Sequence, residues 1–246
     1  MDIRHLTGHI GYHEGWDLQR STHESVRSED LADTVFFLEH ASVYTAGART
    51  HRDEYPTDGT EVIKVDRGGK ITWHGPGQIV AYPIIRLAKP FDVVEYVRTL
   101  EQAVMDVCTA FGVETMRVEG RSGVWLAADS PDVPEPRLER KVCAIGARVA
   151  KGVTMHGLAL NCDADLTAFD RIVPCGIPAE DADVTSLSAE LGRKVTVDDV
   201  RPLLEAALIA RLSPLLARST DAPAASAAAQ TTTVVAAPSD TVPATA

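Results

Sequence analysis

Short apolar runs, separated by polar or glycine-containing stretches, fill the middle of the chain and predict β-strands. The predicted strands are Thr34–Glu39, Glu61–Asp66, Gln78–Leu87, Gly123–Ala128, Val142–Val149 and Val153–Cys162. The sequence shows no internal repeat, so we expect one continuous sheet-based domain and not an array of small units.

The clearest helical pattern begins near Asp92, a suitable N-cap, with Glu95 three residues later as in a capping box. Apolar residues then recur at helical spacing: Val94, Val97, Leu100, Val104, Val107, Cys108 and Phe111. Gly112 is expected to end this helix.

Two further helices are predicted late in the chain. One covers about Val184–Leu191 and stops at Gly192; the other covers about Val197–Ala217, with Thr196 as N-cap and Pro202 in its first turns. Strands in the middle and helices around them predict an α/β (α+β) domain, in which a mixed β-sheet has flanking helices.

The composition changes near residue 219. Residues 219–246 contain alanine, threonine, serine, proline and valine but no lysine, arginine or aromatic residue. Such a segment buries too little apolar surface to offset the entropy lost on ordering. We therefore predict a catalytic domain over residues 1–218 and a disordered tail over residues 219–246.

The formal net charge is -11, which argues against nonspecific binding to nucleic acid, because that requires a basic surface. The chain has no apolar run long enough to span a membrane and no apolar segment near its start that resembles a signal peptide. A cytoplasmic protein that binds neither membranes nor nucleic acid is the expectation. No metal site is expected, because no two of the four cysteines form a C-x-x-C pair.

A segment dense in glycine and polar residues, Arg67-Gly-Gly-Lys-Ile-Thr-Trp-His-Gly-Pro-Gly-Gln78, lies between two predicted strands. Glycines alone would indicate only turn geometry. Because Arg67, Trp73 and His74 accompany them, we favour a ligand-binding loop. The loop matches neither G-x-x-x-x-G-K-[ST] nor G-x-G-x-x-G, so it does not indicate a nucleotide.

This loop, R-G-G-x-x-T-x-H-G-P-G-Q, resembles that of the lipoyl(octanoyl) transferases. The resemblance continues at Lys141-Val-Cys-Ala-Ile-Gly146, at His156-Gly-Leu-Ala-Leu-Asn161 and at Pro174-Cys-Gly176, and thus covers about residues 67–187. It implies the fold of the biotin/lipoate protein ligases and transfer of an octanoyl group through a cysteine thioester, without ATP or another cofactor.

The resemblance also implies which residues bind the acyl group and which proteins are partners. The implied substrate-binding residues are Arg67, Gly68, Gly69, Lys70, Ile71, Thr72, Trp73, His74, Ala144, Ile145, Gly146, Gly157, Leu158 and Ala159. The implied donor is octanoyl-acyl carrier protein. The implied acceptors are lipoyl domains of 2-oxoacid dehydrogenase E2 subunits and the glycine cleavage H protein. In the absence of an oligomerisation signal, we expect a monomer.

Four cysteines compete for the role of nucleophile. Cys108 lies on the apolar stripe of a helix, and Cys143 and Cys162 lie in or at the end of strands, whereas Cys175 stands between Pro174 and Gly176. Local context favours an exposed thiol at Cys175 but leaves its role open. The resemblance assigns it the acyl thioester and pairs it with Lys141.

A thiol has a pKa of about 8.5, so a reactive cysteine needs a nearby base or cation. By residue type, the candidates are His74, Lys141, Lys151 and His156. The resemblance selects Lys141 and leaves His156 as the alternative base.

Acyl carrier proteins and lipoyl domains are typically acidic, so a chain of net charge -11 needs a local cationic face to bind them. Arg137, Arg140, Arg148 and Lys151 are the candidates for it. Three other functions remain open: an ATP-dependent lipoate or biotin ligase, a non-catalytic acyl-binding protein, and a hydrolase using Cys175 and His156.

Overall fold

A mixed sheet of nine strands forms the centre of the computed structural model, which describes residues 1–173 and 182–217 and the backbone of residues 232–235. In spatial order its strands are β12 (Thr232–Val235), β1 (Asp2–Ile10), β2 (Thr34–His40), β6 (Gln78–Ile84), β10 (Val153–Asn161), β9 (Arg140–Ala150), β8 (Arg121–Leu126) and β7 (Met116–Val118). The ninth, β11 (Asp183–Val184), pairs with the start of β9.

A second sheet of three strands, in the order β4 (Val62–Lys64), β3 (Val43–Ala46) and β5 (Ile71–His74), lies beside the first. The helices are α1 (Tyr12–Arg27), α2 (Val93–Ala110), α3 (Leu187–Leu191) and α4 (Val197–Leu212). Parallel and antiparallel pairs occur together in the larger sheet, so the predicted class, a mixed sheet with flanking helices, is confirmed.

The central strands supply two apolar cores by period-two alternation. In β2, Val35 and Phe37 face the core that contains α2 and α4, whereas Phe36 and Leu38 face the core that contains α1. Strands β6 and β10 divide their side chains between the same two cores. Because both faces are buried, these strands read as continuous apolar runs, which is why the sequence predicts them well.

The N-cap residues act as predicted, but the Glu95 side chain does not complete a capping box with Asp92. The Asp92 carboxylate accepts from the backbone N–H groups of Val94 and Glu95, and Thr196 caps α4 through Asp199. Gly192 ends α3 in the left-handed region, at φ 61°. Among the described helices, none is both long and apolar enough to cross a membrane.

Helix α1 was not predicted, and its buried side explains why. That side includes Gly15, Gln19, Thr22 and His23, so apolar residues do not recur at helical spacing. The helix nevertheless packs on β6 and β10, and two of its buried polar side chains find partners. The His23 ring meets the Ala150 carbonyl at 3.2 Å, and Gln19 Oε1 accepts from the His156 N–H at 2.7 Å.

Among the boundaries that differ from the predictions, three have a clear physical cause. Residues 67–78 are not one loop, because Ile71–His74 pairs with β3 as strand β5. The helix predicted over about Val184–Leu191 does not begin at Val184. Asp183 and Val184 pair with β9, and Ser186 is the N-cap. Helix α4 ends at Leu212, because Pro214 lacks the N–H that a continued helix requires.

The predicted tail lies largely outside the described residues. Its described part, Thr232–Val235, runs parallel to β1 as β12. Disorder of residues 219–246 stays a prediction from the sequence. Two threonines and two valines suit an extended backbone, and β1 offers an unpaired edge there.

Deletion of residues 219–246 is expected to change the melting temperature by less than about 2 °C, because a four-residue edge pair contributes little and both cores are built from upstream residues. Thermal unfolding of full-length and truncated protein checks this. A loss of more than about 5 °C would show that the tail packs on the domain.

Candidate functional site

Strand β5 divides the residues of the predicted ligand-binding loop between two environments. Thr72 and His74 face a cavity between the two sheets, whereas Ile71 and Trp73 face an apolar cluster that contains Phe169. Successive side chains of a strand point to opposite faces, so four consecutive residues cannot all line one pocket. Trp73 instead stacks edge-on against Phe169 and donates its Nε1–H to Ser42.

Arg67 holds the glycine-containing turn between β4 and β5 in place. Its guanidinium donates to the carbonyls of Gly68 and Lys70 at 3.0 and 2.9 Å, and to the carbonyl and hydroxyl oxygens of Thr45 at 3.0 and 2.9 Å. Its side chain is buried. A planar donor with five N–H groups is suited to joining several oxygens at once, so Arg67 ties the turn to β3.

Small residues form the floor of the cavity. Gly146 pairs with Gly157, and Ala144 pairs with Ala159, across β9 and β10. The intervening pair, Leu158 and Ile145, belongs to the core on the opposite face. The cavity has a volume of about 180 Å³. With side chains no larger than a methyl group, its floor leaves room for a chain lying along the strands.

Lys141 faces the same cavity because β9 contains a bulge. On β8, Val124 and Trp125 are adjacent, but their partners on β9 are Cys143 and Lys141, so Val142 is an extra residue. Val142 and Cys143 both lie in the core with α2. Strict alternation would send Lys141 into that core as well; the bulge turns it towards the cavity instead.

The buried lysine has a suitable environment. Lys141 is 7% exposed, and its Nζ lies 4.5 Å from the centre of the Trp125 ring. The negative face of the indole partly replaces the water that the ammonium loses on burial. A Cβ on residue 123 would lie 3.3 Å from Lys141 Cε and 2.5 Å from the Cys143 carbonyl oxygen. Gly123 therefore leaves room for the lysine side chain.

Buried histidines and tyrosines surround the cavity on the side of α1. His40 Nδ1 lies 2.9 Å from the Ile10 carbonyl, which can only accept, so Nδ1 carries the proton and Nε2 accepts from the Tyr82 hydroxyl at 2.7 Å. Burial lowers the pKa of His40 to about 4, in agreement with a neutral ring. Burial also raises the pKa of Tyr12 to about 12 and that of Tyr82 well above its usual value.

Two further histidines at the cavity are neutral. Burial lowers the pKa of His74 to about 3, and His74 Nδ1 lies 2.7 Å from Gln78 Oε1. Burial lowers the pKa of His156 to about 4, although Asp66, 2.9 Å from its Nε2, opposes the shift. His156 also has a positive φ of 58°, a rare and strained backbone conformation outside glycine.

The cavity is cationic although the chain is acidic. The described residues that line it include Arg49, Arg67, Lys70, Arg121 and Lys141, with no aspartate or glutamate among them. Just outside the lining, Glu54 pairs with Lys70 at 2.5 Å and Glu139 with Arg121 at 3.6 Å. The charged side chains among the described lining residues are thus all basic, and two of them, Lys70 and Arg121, have acidic partners outside the lining.

A cationic face was expected at Arg137, Arg140, Arg148 and Lys151. The first three of these residues are instead paired with acidic side chains. Arg137 and Arg140 both pair with Glu190 and Asp129, and Arg148 pairs with Asp66. Arg140 is buried and holds α3 against β9, so its charge serves the fold.

Most of the predicted site residues meet at this one cavity. Those that line it are Arg67, Gly69, Lys70, Thr72, His74, Lys141, Ala144, Gly146, Gly157 and Ala159. Ile145 and Leu158 border the cavity between these residues of β9 and β10, but their side chains belong to the core on the opposite face. Ile71 and Trp73 face away from it, and Gly68 rests on β9, where its N–H donates to the Ala147 carbonyl. Cys175 lies outside the described residues.

Sequence reasoning missed several lining residues: Tyr12, Arg49, Tyr82, Gly120, Arg121 and Ser122. Tyr12 begins the helix that was not predicted, and Tyr82 lies in a continuous apolar run that gives no sign of which side chain faces a cavity. Only strand pairing brings them to the glycine-containing turn, so no local signal could have identified them.

The other three cysteines are buried in the core or at its edge. Burial raises the pKa of the Cys108 thiol to about 12, and it raises the pKa values of Cys143 and Cys162 further still. They are packing residues and poor nucleophiles. Within the described residues, no group of three or more His, Cys, Asp or Glu side chains could hold a metal ion.

The chain belongs to the lipoyl protein ligase A/B catalytic domain family, whose model matches residues 11–209. The octanoyltransferase of Salinispora tropica is 58% identical over 207 residues, which cover 84% of this chain and 94% of the relative. That of Mycobacterium tuberculosis is 56% identical over 216 residues, which cover 88% and 89%.

The fold agrees with this membership. A bi-partite lipoate protein ligase from Thermoplasma acidophilum superposes with a TM-score of 0.61 at 18% identity, covering 86% of this chain and 84% of that one. The resemblance to lipoyl(octanoyl) transferases seen in the sequence motifs is thus confirmed, as is the ligase-like fold.

Stability is expected to fall as the pH drops from 6.5 towards 4. Histidines in the unfolded chain bind protons near pH 6.5, whereas His40, His74 and His156 remain neutral in the folded protein until about pH 4 or below. The unfolded state therefore binds more protons in this window, at a cost of about 1.4 kcal/mol per histidine and pH unit. Chemical denaturation at pH 7, 6 and 5 measures the effect.

A matched pair of variants tests whether the buried histidines cause this pH dependence of stability. His74→Asn keeps an N–H for Gln78 but removes one titrating ring, so the pH dependence should fall by roughly a third. His13 is exposed on α1, and His13→Asn should leave the dependence unchanged. Equal stability of the wild type at pH 6.5 and pH 5 would contradict the neutral-histidine cluster.

Proposed function

We propose that the protein transfers an octanoyl group from octanoyl-acyl carrier protein to a specific lysine of lipoyl domains, through a thioester on Cys175. The observation that carries this proposal is the identity of 58% with an octanoyltransferase over 94% of that relative's length. The cavity adds a physical argument, because a floor of glycine and alanine beside a buried lysine suits an acyl chain with a reactive end.

An acyl chain gains free energy from such a cavity. Each buried CH₂ contributes about 0.8 kcal/mol, so the seven aliphatic carbons of an octanoyl group contribute about 5 kcal/mol before ordering costs. Ala144 and Ala159 leave the space that larger side chains would fill. The chain would therefore lie against the strands, with its carbonyl group next to Lys141.

In the first step, the Cys175 thiolate attacks the thioester carbon of the carrier-bound acyl group. A new carbon–sulfur bond forms, the bond to the carrier sulfur breaks, and the departing carrier thiolate takes a proton from the Lys141 ammonium. Before that proton leaves, the ammonium stabilises the Cys175 thiolate. Lys141 is thereby left as a neutral amine beside the acyl-enzyme.

In the second step, the neutral amine of the acceptor lysine attacks the acyl-enzyme. Its proton passes to Lys141, the amide bond forms, and the Cys175 thiolate leaves. Charges and protons return to their starting state, so one lysine serves both steps. Because an amide is more stable than a thioester, transfer is downhill and needs no ATP.

The chain on both sides of residues 174–181 supports the pairing of Cys175 with Lys141. Before this segment, the Val173 N–H donates to the carbonyl of Glu54, whose carboxylate binds Lys70 of the cavity wall. After it, Val184 pairs with Lys141, and the Thr185 N–H donates to the Lys141 carbonyl. One end is thus attached to Lys141 itself, and the other is attached through Glu54 to Lys70 of the cavity wall.

The cationic lining supports acidic protein partners. Arg49 is exposed, and the described residues include no ion pair for it. Positive charge around the cavity would draw an acidic carrier protein or lipoyl domain to it, while the overall charge of -11 would repel them elsewhere. The identity of the lipoyl-domain proteins, the cytoplasmic location and the monomeric state stay predictions from the sequence.

Mixing the protein with octanoyl-acyl carrier protein, without ATP, is expected to add the mass of one octanoyl group to it. Peptide mapping should place that group on Cys175, and Cys175→Ala should abolish it. Cys143→Ala is the control and should still be acylated, because that thiol is buried in the core. Acylation that requires ATP would indicate a ligase, and release of free octanoate without an acceptor would indicate a hydrolase.

Lys141→Ala is expected to slow both half-reactions, because the variant lacks the cation that stabilises the thiolate and the base that takes the proton. Loss of the base should slow transfer to the lipoyl domain by about 10²- to 10⁴-fold. Lys141→Arg keeps the charge but cannot act as a base at neutral pH, so it should acylate faster than Lys141→Ala yet transfer as poorly.

Single-turnover kinetics of each half-reaction, followed by mass spectrometry against pH, distinguishes these roles. A higher pH should partly restore acylation in Lys141→Ala, because it forms the thiolate without help, and should restore transfer less. Wild-type rates of both steps in Lys141→Ala would remove Lys141 from the mechanism and make His156 the leading candidate for the base.

A further inference from the structure

The floor of the cavity runs in one direction from Lys141. Residues of β9 on the cavity side follow as Ala144 and Gly146, with Ala159 and Gly157 beside them on β10. Lys141 leans along this floor, since its Cε lies next to Gly123, opposite Ala144 in the register of β8 and β9. An acyl chain that starts at Lys141 Nζ can follow this floor towards Gly146, because the other cavity beside Lys141, next to Phe169, has a volume of only about 10 Å³.

That path ends at Gly146. A Cβ on residue 146 would lie 2.8 Å from the Gly68 carbonyl oxygen and 3.1 Å from Arg67 Cδ, so the glycine-containing turn rests directly on the strand there. Behind this point lie the buried side chains of Tyr12, Tyr82 and His156. We call Arg67, Gly68, Tyr12, Tyr82 and His156 the end wall.

A chain of eight carbons reaches from Lys141 to the end wall. Lys141 and Gly146 are five positions apart, but Val142 is the extra residue of the bulge, so about four strand steps, or about 13 Å, separate them along the floor. The lysine side chain covers about 6 Å of this, which leaves about 7 Å for the acyl chain. The seven carbon–carbon bonds of an octanoyl group, each advancing about 1.3 Å, cover about 9 Å and bring its last carbons to the end wall. A twelve-carbon chain would need about 14 Å and would not fit in front of the wall.

The end wall is held by hydrogen bonds and does not yield easily. Arg67 donates to oxygens of Thr45, Gly68 and Lys70, and the Tyr82 hydroxyl donates to His40. A longer chain would have to separate these buried groups, each of which costs free energy when left unpaired. The free energy lost by separating these groups would then exceed the free energy gained by burying the extra CH₂ groups.

We propose that the end wall sets the acyl-chain length of this enzyme, with Tyr12 and Ala144 as specificity-determining residues at the end and on the floor of the channel. The proposal rests on the acyl transfer proposed above, since it takes the reacting carbonyl to lie at Lys141. Tyr12 is the wall residue most open to substitution, because it belongs to α1 and not to the sheet.

The test is the rate of acyl-enzyme formation from carrier proteins that bear four-, eight- and twelve-carbon chains, measured by intact mass spectrometry. Tyr12→Ala lengthens the channel and should raise the twelve- to eight-carbon rate ratio by roughly tenfold or more. Tyr12→Phe keeps the ring and should retain the wild-type preference. Ala144→Val narrows the floor and should lower the eight- to four-carbon ratio by roughly tenfold.

The outcomes separate this inference from the function on which it rests. If Tyr12→Ala fails to fold, as circular dichroism would show, Ala144→Val alone decides. Ratios within about twofold of wild type in a folded Tyr12→Ala or in Ala144→Val overturn the end wall but leave the transfer reaction intact. Absence of any octanoyl-enzyme in the wild type would instead overturn the proposed function itself.

Discussion

The guanidinium of Arg67 joins the two sheets into one site. It donates to oxygens of Thr45 on β3 and to carbonyls of its own turn, and its side chain packs on Gly146 of β9. Without it, the turn would present buried carbonyls with no partner and would not close over the floor. The position of Thr72 and His74, the closed end of the channel and the cationic lining all depend on that turn.

A second constraint acts through the backbone of β9. Strand alternation would place Lys141 in the apolar core, where an ammonium is costly, and the extra residue Val142 moves it to the cavity face. The Lys141 ammonium then lies over the Trp125 ring. The same bulge aligns Lys141 with Ala144 and Gly146, so a single inserted residue orients the lysine and starts the channel.

Charge in the site follows from burial as much as from residue type. His40, His74 and His156 are neutral because they are buried. At neutral pH they therefore act as hydrogen-bond donors and acceptors but carry no positive charge. The positive character comes from arginines and lysines. The net charge of the chain therefore does not describe the local field, because the described charged residues that line the cavity are all basic although the chain is acidic.

The sequence by itself determined the strands buried on both faces, the capped helix α2, the family and most of the floor, because apolar runs, caps and contiguous motifs are local signals. It did not determine α1, the bulge at Val142 or the presence of Tyr12 and Tyr82 at the cavity. It also could not separate Thr72 and His74 from Ile71 and Trp73. Those features depend on strand register and on contacts between residues far apart in the chain, which only the packed sheets decide.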